Sequence, residues 1–382
     1  MKNLSFAILT CLCLNVVAQK KSPKENIIII TTDGFRWQEV FRGADSAYIR
    51  NPGLVNDTSL IVQQYWDKDP RLRRQKLMPF LWTVIANNGQ LYGNRDFKNK
   101  VNITNLSKIS YPGYSEILTG YSNLKFNRNL PIENKSTNIL EYLNSQDDYR
   151  GKVAAFSSWN ILPYILNEKR SNLLVNSGYE MLDETIDTNN VIINTVQQSI
   201  FKKTNTRYDL LTYISAKEYI EHNHPRVTFI GFGETDKYAH EGQYDQYLQK
   251  ANQVDKFIAD LWYYVQTDPF YKGNTTLIIT TDHGRGKKAS TWHTHGLFTK
   301  GSGETWLALL GPGIINIGEM KSEQQIYPKQ IAQTVAAILG LKFKANHPVG
   351  EQITLPAYYV TEKSKSYPAN NAENALLISI QK

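Results

Sequence analysis

The chain has 382 residues, 41% of them hydrophobic and 20% charged, a balance that excludes a disordered or fibrous polypeptide and allows one large globular domain. Its formal net charge of +8 suits anionic substrates or surfaces. Lys and Arg form no dense stripe, so a nucleic-acid polymer is not an expected partner.

Lys2 followed by the apolar run Leu4 to Val17 and the small residues Val16-Val17-Ala18 reads as a signal peptide, residues 1–18, with the mature chain starting near Gln19. The product is therefore expected to be secreted or periplasmic. Cys11 and Cys13 both fall in this segment, so the mature chain has no disulfide, thiolate metal site or Cys nucleophile. Lipid attachment at Cys11 ranks second, because Thr10 is larger than the residue such a cleavage prefers. No other segment is long and apolar enough to span a bilayer.

Asn26 to Thr32 (NIIIITT) is a continuous apolar run, the pattern of a strand buried on both faces of a parallel sheet. Similar runs follow at Val153 to Phe156, Val227 to Phe232, Leu277 to Thr281 and Trp306 to Leu310. Helical patterns alternate with them at Ser136 to Asn144, Asn189 to Lys202, Tyr208 to His222, Gln243 to Gln266 and Lys329 to Leu339. This alternation predicts a three-layer α/β/α sandwich with a mostly parallel central sheet. Residues 36–105 are more polar and read as an insertion beside the sheet, partly helical near Pro79 to Asn87. Arg71, Arg73, Arg74 and Lys76 there are expected on a solvated face. One catalytic domain, 19–362, is expected, with 363–382 as a tail or edge strand.

The acidic and histidine residues fall where that sheet would deliver them. Asp33 follows the first strand, Asp236 comes shortly after the strand at 227–232, and Asp282-His283 directly follow the strand at 277–281. Open α/β sheets bind ligands at the carboxyl ends of their strands. Asp236 and His240, four apart, share a face on a helical turn. His293 and His295 follow in a Gly-flanked loop. Carboxylates with neutral imidazoles are the donor set of Zn²⁺, or of Mn²⁺ where oxygens dominate, and clustered like charges need a cation to offset their repulsion. Ser110 precedes a Tyr-Pro-Gly turn and a short helix expected from about Tyr114 to Leu118. Beside a metal it is a candidate nucleophile; taken alone it reads as an N-cap.

The segments TTDGFRW (31–37), SYPGYSEILTG (110–120), ETDKYAHEG (234–242), TTDHGRG (280–286) and THG (294–296), with PKQIAQTVAAILGL (328–341) as a closing helix, resemble the alkaline phosphatase superfamily. Within it they look most similar to the nucleotide pyrophosphatase/phosphodiesterase type and its secreted bacterial relatives. The resemblance spans nearly the whole mature chain. It implies an alkaline-phosphatase-like fold and two divalent metal ions, zinc first, with manganese or magnesium as alternatives. Asp33, Asp282, His283 and Ser110 would hold one ion, and Asp236, His240 and His295 the other. Ser110 would attack phosphorus and form a phospho-serine intermediate. His295 is preferred over His293 because Gly296 follows it as in the family; His293 becomes a substrate contact.

The sequence departs from that pattern in the serine nucleophile and in Gly113 and Tyr114, which stand where the diesterases carry Asn and His. That Asn often contacts a phosphoryl oxygen, so another group must do so here or the substrate differs. Tyr114 also replaces the Arg that sulfatases need after Ser-x-Pro. Arg36, Trp159 and Asn160 are the remaining candidate substrate contacts, and Arg285 is expected on the surface. The expected activity is metal-dependent hydrolysis of a small-molecule or saccharide phosphate ester, with monoesters slightly ahead of diesters. The alternatives are a sulfuric-ester hydrolase of the same fold and a metal- or ligand-binding protein without turnover.

Overall fold

The computed structural model describes residues 25–356, except 124, 126, 127, 186 and 187. The expected signal peptide, both cysteines and the expected tail at 363–382 lie outside the described residues. Eight strands form the main sheet: β1 (Asn26–Thr32), β2 (Gln90–Tyr92), β3 (Val153–Ser157), β4 (Leu174–Ser177), β5 (Val227–Phe232), β6 (Thr275–Thr280), β7 (Leu307–Leu310) and β8 (Gly318–Glu319). Their spatial order is β8-β2-β7-β6-β1-β5-β3-β4. The run β6-β1-β5-β3-β4 is parallel, and β7 alone runs against its neighbours. The sequence runs at 153, 227 and 277 are thus parallel strands, as expected. The Leu307–Leu310 run is apolar for the same reason, burial on both faces, but it is antiparallel. β2 and β4 are too short or too polar to stand out in the sequence.

β1 is central, with Ile29 beside Phe229 on one side and Ile278 on the other. All seven of its residues are buried. The two-residue period of a strand sends Ile27 and Ile29 to one face and Ile28 and Ile30 to the other. The first face packs on helices α1 (Ser110–Thr119), α2 (Ile139–Ser145) and α7 (Ile331–Ile338). The second packs on α4 (Asp209–Asn223) and α6 (Tyr244–Thr267), with α3 (Asn189–Ser199) outside α4 and α5 (Glu234–His240) leading into α6. This is the three-layer sandwich read from the sequence. None of the described helices is long and apolar enough to cross a membrane.

Two expectations about the segment 36–105 change. It does not only lie beside the sheet, because β2 pairs with β7 and so enters it. Its basic run is also only partly solvated. Arg71 is exposed, but Arg73 Nε donates to the Arg42 carbonyl at 2.7 Å and Arg74 pairs with Glu319 at 3.0 Å. The Arg74 guanidinium lies 3.4 Å over the Trp82 ring, so cation–π contact and packing use these charges.

The same segment is tied to α6 by Asp255, whose carboxylate accepts from Phe80 N at 2.7 Å and Leu81 N at 3.0 Å. Those amides open the wide helical turn Leu81–Ile85, where no helical carbonyl is available to them. Burial pushes the Asp255 carboxyl up to about 7. Asp255→Ala leaves both donors unpaired in the interior and is expected to destabilise the fold by about 1–3 kcal/mol, read as a lower urea midpoint with unchanged m-value.

Candidate metal centre

The parallel strands β1, β5 and β6 end together, and the residues that follow them converge. Asp33 comes directly after β1, and its N–H donates to the Phe232 carbonyl at 2.9 Å, which locks the ends of β1 and β5 in step. Asp282 and His283 follow β6 and are fully buried. Gly34 N donates to Asp282 Oδ1 at 3.0 Å, so the two loops cross at contact distance. Gly34 has φ 57°, and a Cβ there would sit 2.8 Å from the Arg285 guanidinium, so only glycine fits.

Two groups of donors result. In the first, His283 Nε2 lies 3.4 Å from Asp33 Oδ1, 3.4 Å from Asp282 Oδ2 and 3.3 Å from Ser110 Oγ. In the second, Asp236 lies 3.4 Å from His240 Nε2 and 3.6 Å from His295 Nε2. Asp236 Oδ1 is also 3.9 Å from His283 Nε2, so the groups adjoin. All seven residues named as ligands from the sequence are brought together.

The arrangement fits divalent cations. Asp33 Oδ1 and Asp282 Oδ2 are buried and accept no hydrogen bond, a costly state unless a cation takes their lone pairs. His283 Nδ1 and His295 Nδ1 meet the carbonyls of Gly284 and Lys108 at 3.0 and 3.2 Å. That fixes each ring and aims Nε2 at the carboxylates, the usual outer support of a ligating histidine. Burial and the neighbouring Asp282 push the Asp33 carboxyl up to about 8. Burial pushes Asp282 up to about 7. Burial also holds His240, His283 and His295 below the ordinary imidazole range, hence neutral and ready to ligate.

Ser110 is not a cap. It is the first residue of α1, and Ile109 holds the cap position without a side-chain bond. The helix begins four residues earlier than expected, because Pro112 in the first turn has no amide that a helical bond would use. Gly113 is there for space. A Cβ at 113 would lie 2.4 Å from the Asp282 carbonyl oxygen. The Asp282 backbone occupies the space an Asn side chain would need at 113. Tyr114 is buried, and its hydroxyl donates to Asp33 Oδ2 at 3.2 Å, so it supports a ligand.

Other sequence candidates are placed differently. Arg36 is 2% exposed, paired with Glu39 and donating to the Gly286 carbonyl at 3.0 Å. Its guanidinium braces the 286–295 loop and is not free to meet substrate. Trp159 is half-buried against Tyr114, with ring centroids 6.0 Å apart. Asn160 is exposed at a cleft shared with Tyr164 and Tyr179. His293 belongs to neither donor group; its carbonyl accepts from Arg285 NH1 at 2.9 Å.

Arg285, expected on the surface, is fully buried. Its guanidinium donates to Gly34 O at 3.0 Å, to His293 O, and to both the carbonyl and the carboxylate of Asp236. One side chain thus joins the three segments that carry Asp33, Asp236 and His295. Asp209, also unread in the sequence, accepts from Gly233 N at 2.8 Å and Glu234 N at 3.1 Å, which fixes the start of α5 and so the aim of Asp236 and His240. The Tyr111 amide donates to Asn129 Oδ1 at 2.9 Å, which brings that amide side chain beside Ser110. Only chain position hinted at Arg285, two residues after His283; nothing local marked the other two.

Carboxyls whose folded pKa is raised keep protons that the unfolded chain has lost, so their contribution falls as pH climbs from about 4 to about 8. Cation binding displaces those protons. The loss of Tm on chelation is therefore expected to be larger near pH 8 than near pH 6, checked by thermal melts with and without chelator. Arg285→Met is expected to weaken metal binding by about 10–100-fold, with Arg285→Lys recovering only part of it, measured by chelator competition.

A family model described as the metalloenzyme superfamily matches residues 131–303, which hold Asp236, His240, Asp282, His283 and His295. No curated protein matches the chain by sequence. Among solved structures, a substituted form of the alkaline phosphatase PafA aligns with TM-score 0.55 and 13% identity, over 87% of this chain and 99% of that one. BT1596, a 2-O GAG sulfatase, aligns with TM-score 0.54 and 12% identity, over 84% and 72%. The lipoteichoic acid synthase LtaP from Listeria monocytogenes aligns with TM-score 0.51 and 15% identity, over 86% and 74%. These likenesses bear on fold, and phosphatase and sulfatase neighbours are equally near. The chain has the fold of the alkaline phosphatase superfamily, and its middle segment matches the metalloenzyme superfamily.

Proposed function

We propose that this chain is a metal-dependent phosphoric-ester hydrolase in which Ser110 is the nucleophile. The observation that carries the reading is the position of Ser110 Oγ, 3.3 Å from His283 Nε2 at the N-terminal end of a ten-residue helix and within the carboxylate cluster. Two divalent cations, zinc first, held by Asp33, Asp282, His283 and Ser110 and by Asp236, His240 and His295, would lower the pKa of the serine hydroxyl and offset charge on the phosphoryl oxygens.

The chain's own groups do the rest. The positive dipole end of α1 favours an anion beside Ser110, while the Tyr111 amide there is held by Asn129 Oδ1 and the Gly113 amide by the Ile109 carbonyl. Ser110 Oγ bonds to phosphorus as the ester oxygen leaves opposite, and water then releases phosphate from the serine. Monoesters remain first on the basic balance of the chain. Export through the N-terminal segment belongs to the same proposal, with a small-molecule or saccharide ester as substrate. A sulfuric-ester hydrolase is the second reading, since Ser110-x-Pro112 matches the start of the sulfatase pattern, but Tyr114 is committed to Asp33 where that pattern needs Arg.

Ser110→Ala is expected to lower kcat on an aryl phosphate by about a thousandfold or more while the six carboxylate and imidazole ligands keep their metal. Unchanged hydrolysis would remove Ser110 from the chemistry. The mass of the Ser110 peptide decides the second reading, because conversion to formylglycine changes it.

A further inference from the structure

Single exposed apolar side chains are normal on a soluble protein, but several gathered at one place are not. Five large ones stand on three segments bonded to the candidate site. Leu106 is 59% exposed, four residues before Ser110. Leu297 and Phe298 follow His295, and Phe298 is 96% exposed. These two segments touch through His295 Nδ1 and the Lys108 carbonyl, 3.2 Å apart. Leu130 and Ile132, 42% and 56% exposed, lie on the segment bonded to Tyr111, the residue after the nucleophile. Asn129 accepts from the Tyr111 amide at 2.9 Å, and the Tyr111 hydroxyl donates to the Ile132 carbonyl at 2.6 Å. Arg128 and Lys300 are exposed two residues along the chain from Leu130 and Phe298.

We infer that this rim seats the site on an anionic lipid surface and that the substrate is an amphiphilic phosphate ester held there. The inference rests on the phosphoric-ester reading and adds the substrate class. An apolar leaving group free in solution would call for a cleft that encloses it. Phe298 encloses nothing; a side chain almost wholly in water buries its area by entering an interface. Arg128 and Lys300 would meet the phosphates of neighbouring headgroups, and attraction of that kind weakens with salt. The rim thus holds the ester where Ser110 can reach its phosphorus, with the acyl chains left in the lipid.

The test compares the wild type with a Phe298→Ser/Leu130→Ser double variant, one change on each of two segments and neither at a metal ligand. Vesicles of phosphatidylcholine containing a minor share of phosphatidic acid are the probe, with co-sedimentation and phosphate release as readouts. Aryl phosphate hydrolysis and Tm serve as controls. The expected result is a loss of about tenfold or more in vesicle binding and vesicle phosphate release, with aryl phosphate kcat/KM and Tm unchanged. Wild-type protein that hydrolyses aryl phosphate but neither binds nor dephosphorylates these vesicles overturns the inference. So does a variant that matches the wild type on vesicles, or one whose only change is loss of a dimer in light scattering. Absence of aryl phosphate hydrolysis in metal-loaded wild type defeats the hydrolase reading itself, and the substrate assignment falls with it.

Discussion

Three carboxylates, those of Asp33, Asp236 and Asp282, meet at one edge of a parallel sheet, and their mutual repulsion in a dry environment is the constraint the rest of the structure serves. The sheet creates the problem by ending β1, β5 and β6 at the same level. Burial raises the Asp33 and Asp282 carboxyls out of the usual range, so the protein must supply protons, cations or donors to hold them. Gly34 N and the Tyr114 hydroxyl supply two donors. Arg285 supplies a protein cation in contact with the cluster, on Asp236. Neutral imidazoles fill the remaining directions, and the donor set that results is that of a metal centre.

The loops that carry these groups have little regular structure of their own, so side-chain networks position them. Arg285 binds three of the segments together. Arg36 and Glu39 form a second buried pair, and Tyr244 donates to Glu39 while Arg36 reaches Gly286. Trp292, fully buried among Tyr48, Tyr244 and Tyr247, anchors the chain three residues before His295. Buried charge pairs add little net stability compared with apolar packing. Their value here is geometric, since a ligand misplaced by an ångström loses much of its affinity. The tight glycines serve the same end: Gly34 leaves room for the Arg285 guanidinium and the Asp236 carboxylate, and Gly113 lets α1 approach the Asp282 backbone.

Outside this centre, a packed wall and an open mouth divide the surroundings. Arg36, Glu39, Tyr114 and Asp209 are buried behind the ligands. Leu106, Leu130, Ile132 and Phe298 are exposed, on segments hydrogen-bonded to Tyr111 or carrying His295 or Lys108.

The layered fold was legible from the sequence, because it depends on local and periodic signals, and strand ends and helical spacing pointed to Asp33, Asp236, His240, Asp282 and His283. The choice of His295 and the ligand role of Ser110 came from the resemblance to the alkaline phosphatase superfamily. Four isoleucines in a row can only be a doubly buried strand or a buried helix turn, and the polar residues at each end favoured the strand. Residues directly after such strands must reach the sheet edge, so Asp33 and Asp282-His283 could be named before their contacts were known. Tertiary structure decided the rest. Whether Arg36 and Arg285 face solvent depends on which loops fold over them, and both are covered by partners more than 200 residues away in the chain. Why position 113 is glycine depends on how close α1 comes to β6, a distance no local pattern encodes. The direction of β7, the entry of β2 into the sheet and the capping role of Asp209 are likewise set by long-range packing. The sequence by itself determined the strands and the chemistry they deliver, since burial and periodicity act residue by residue; only the folded chain decided which charges became supports and which surfaces stayed open.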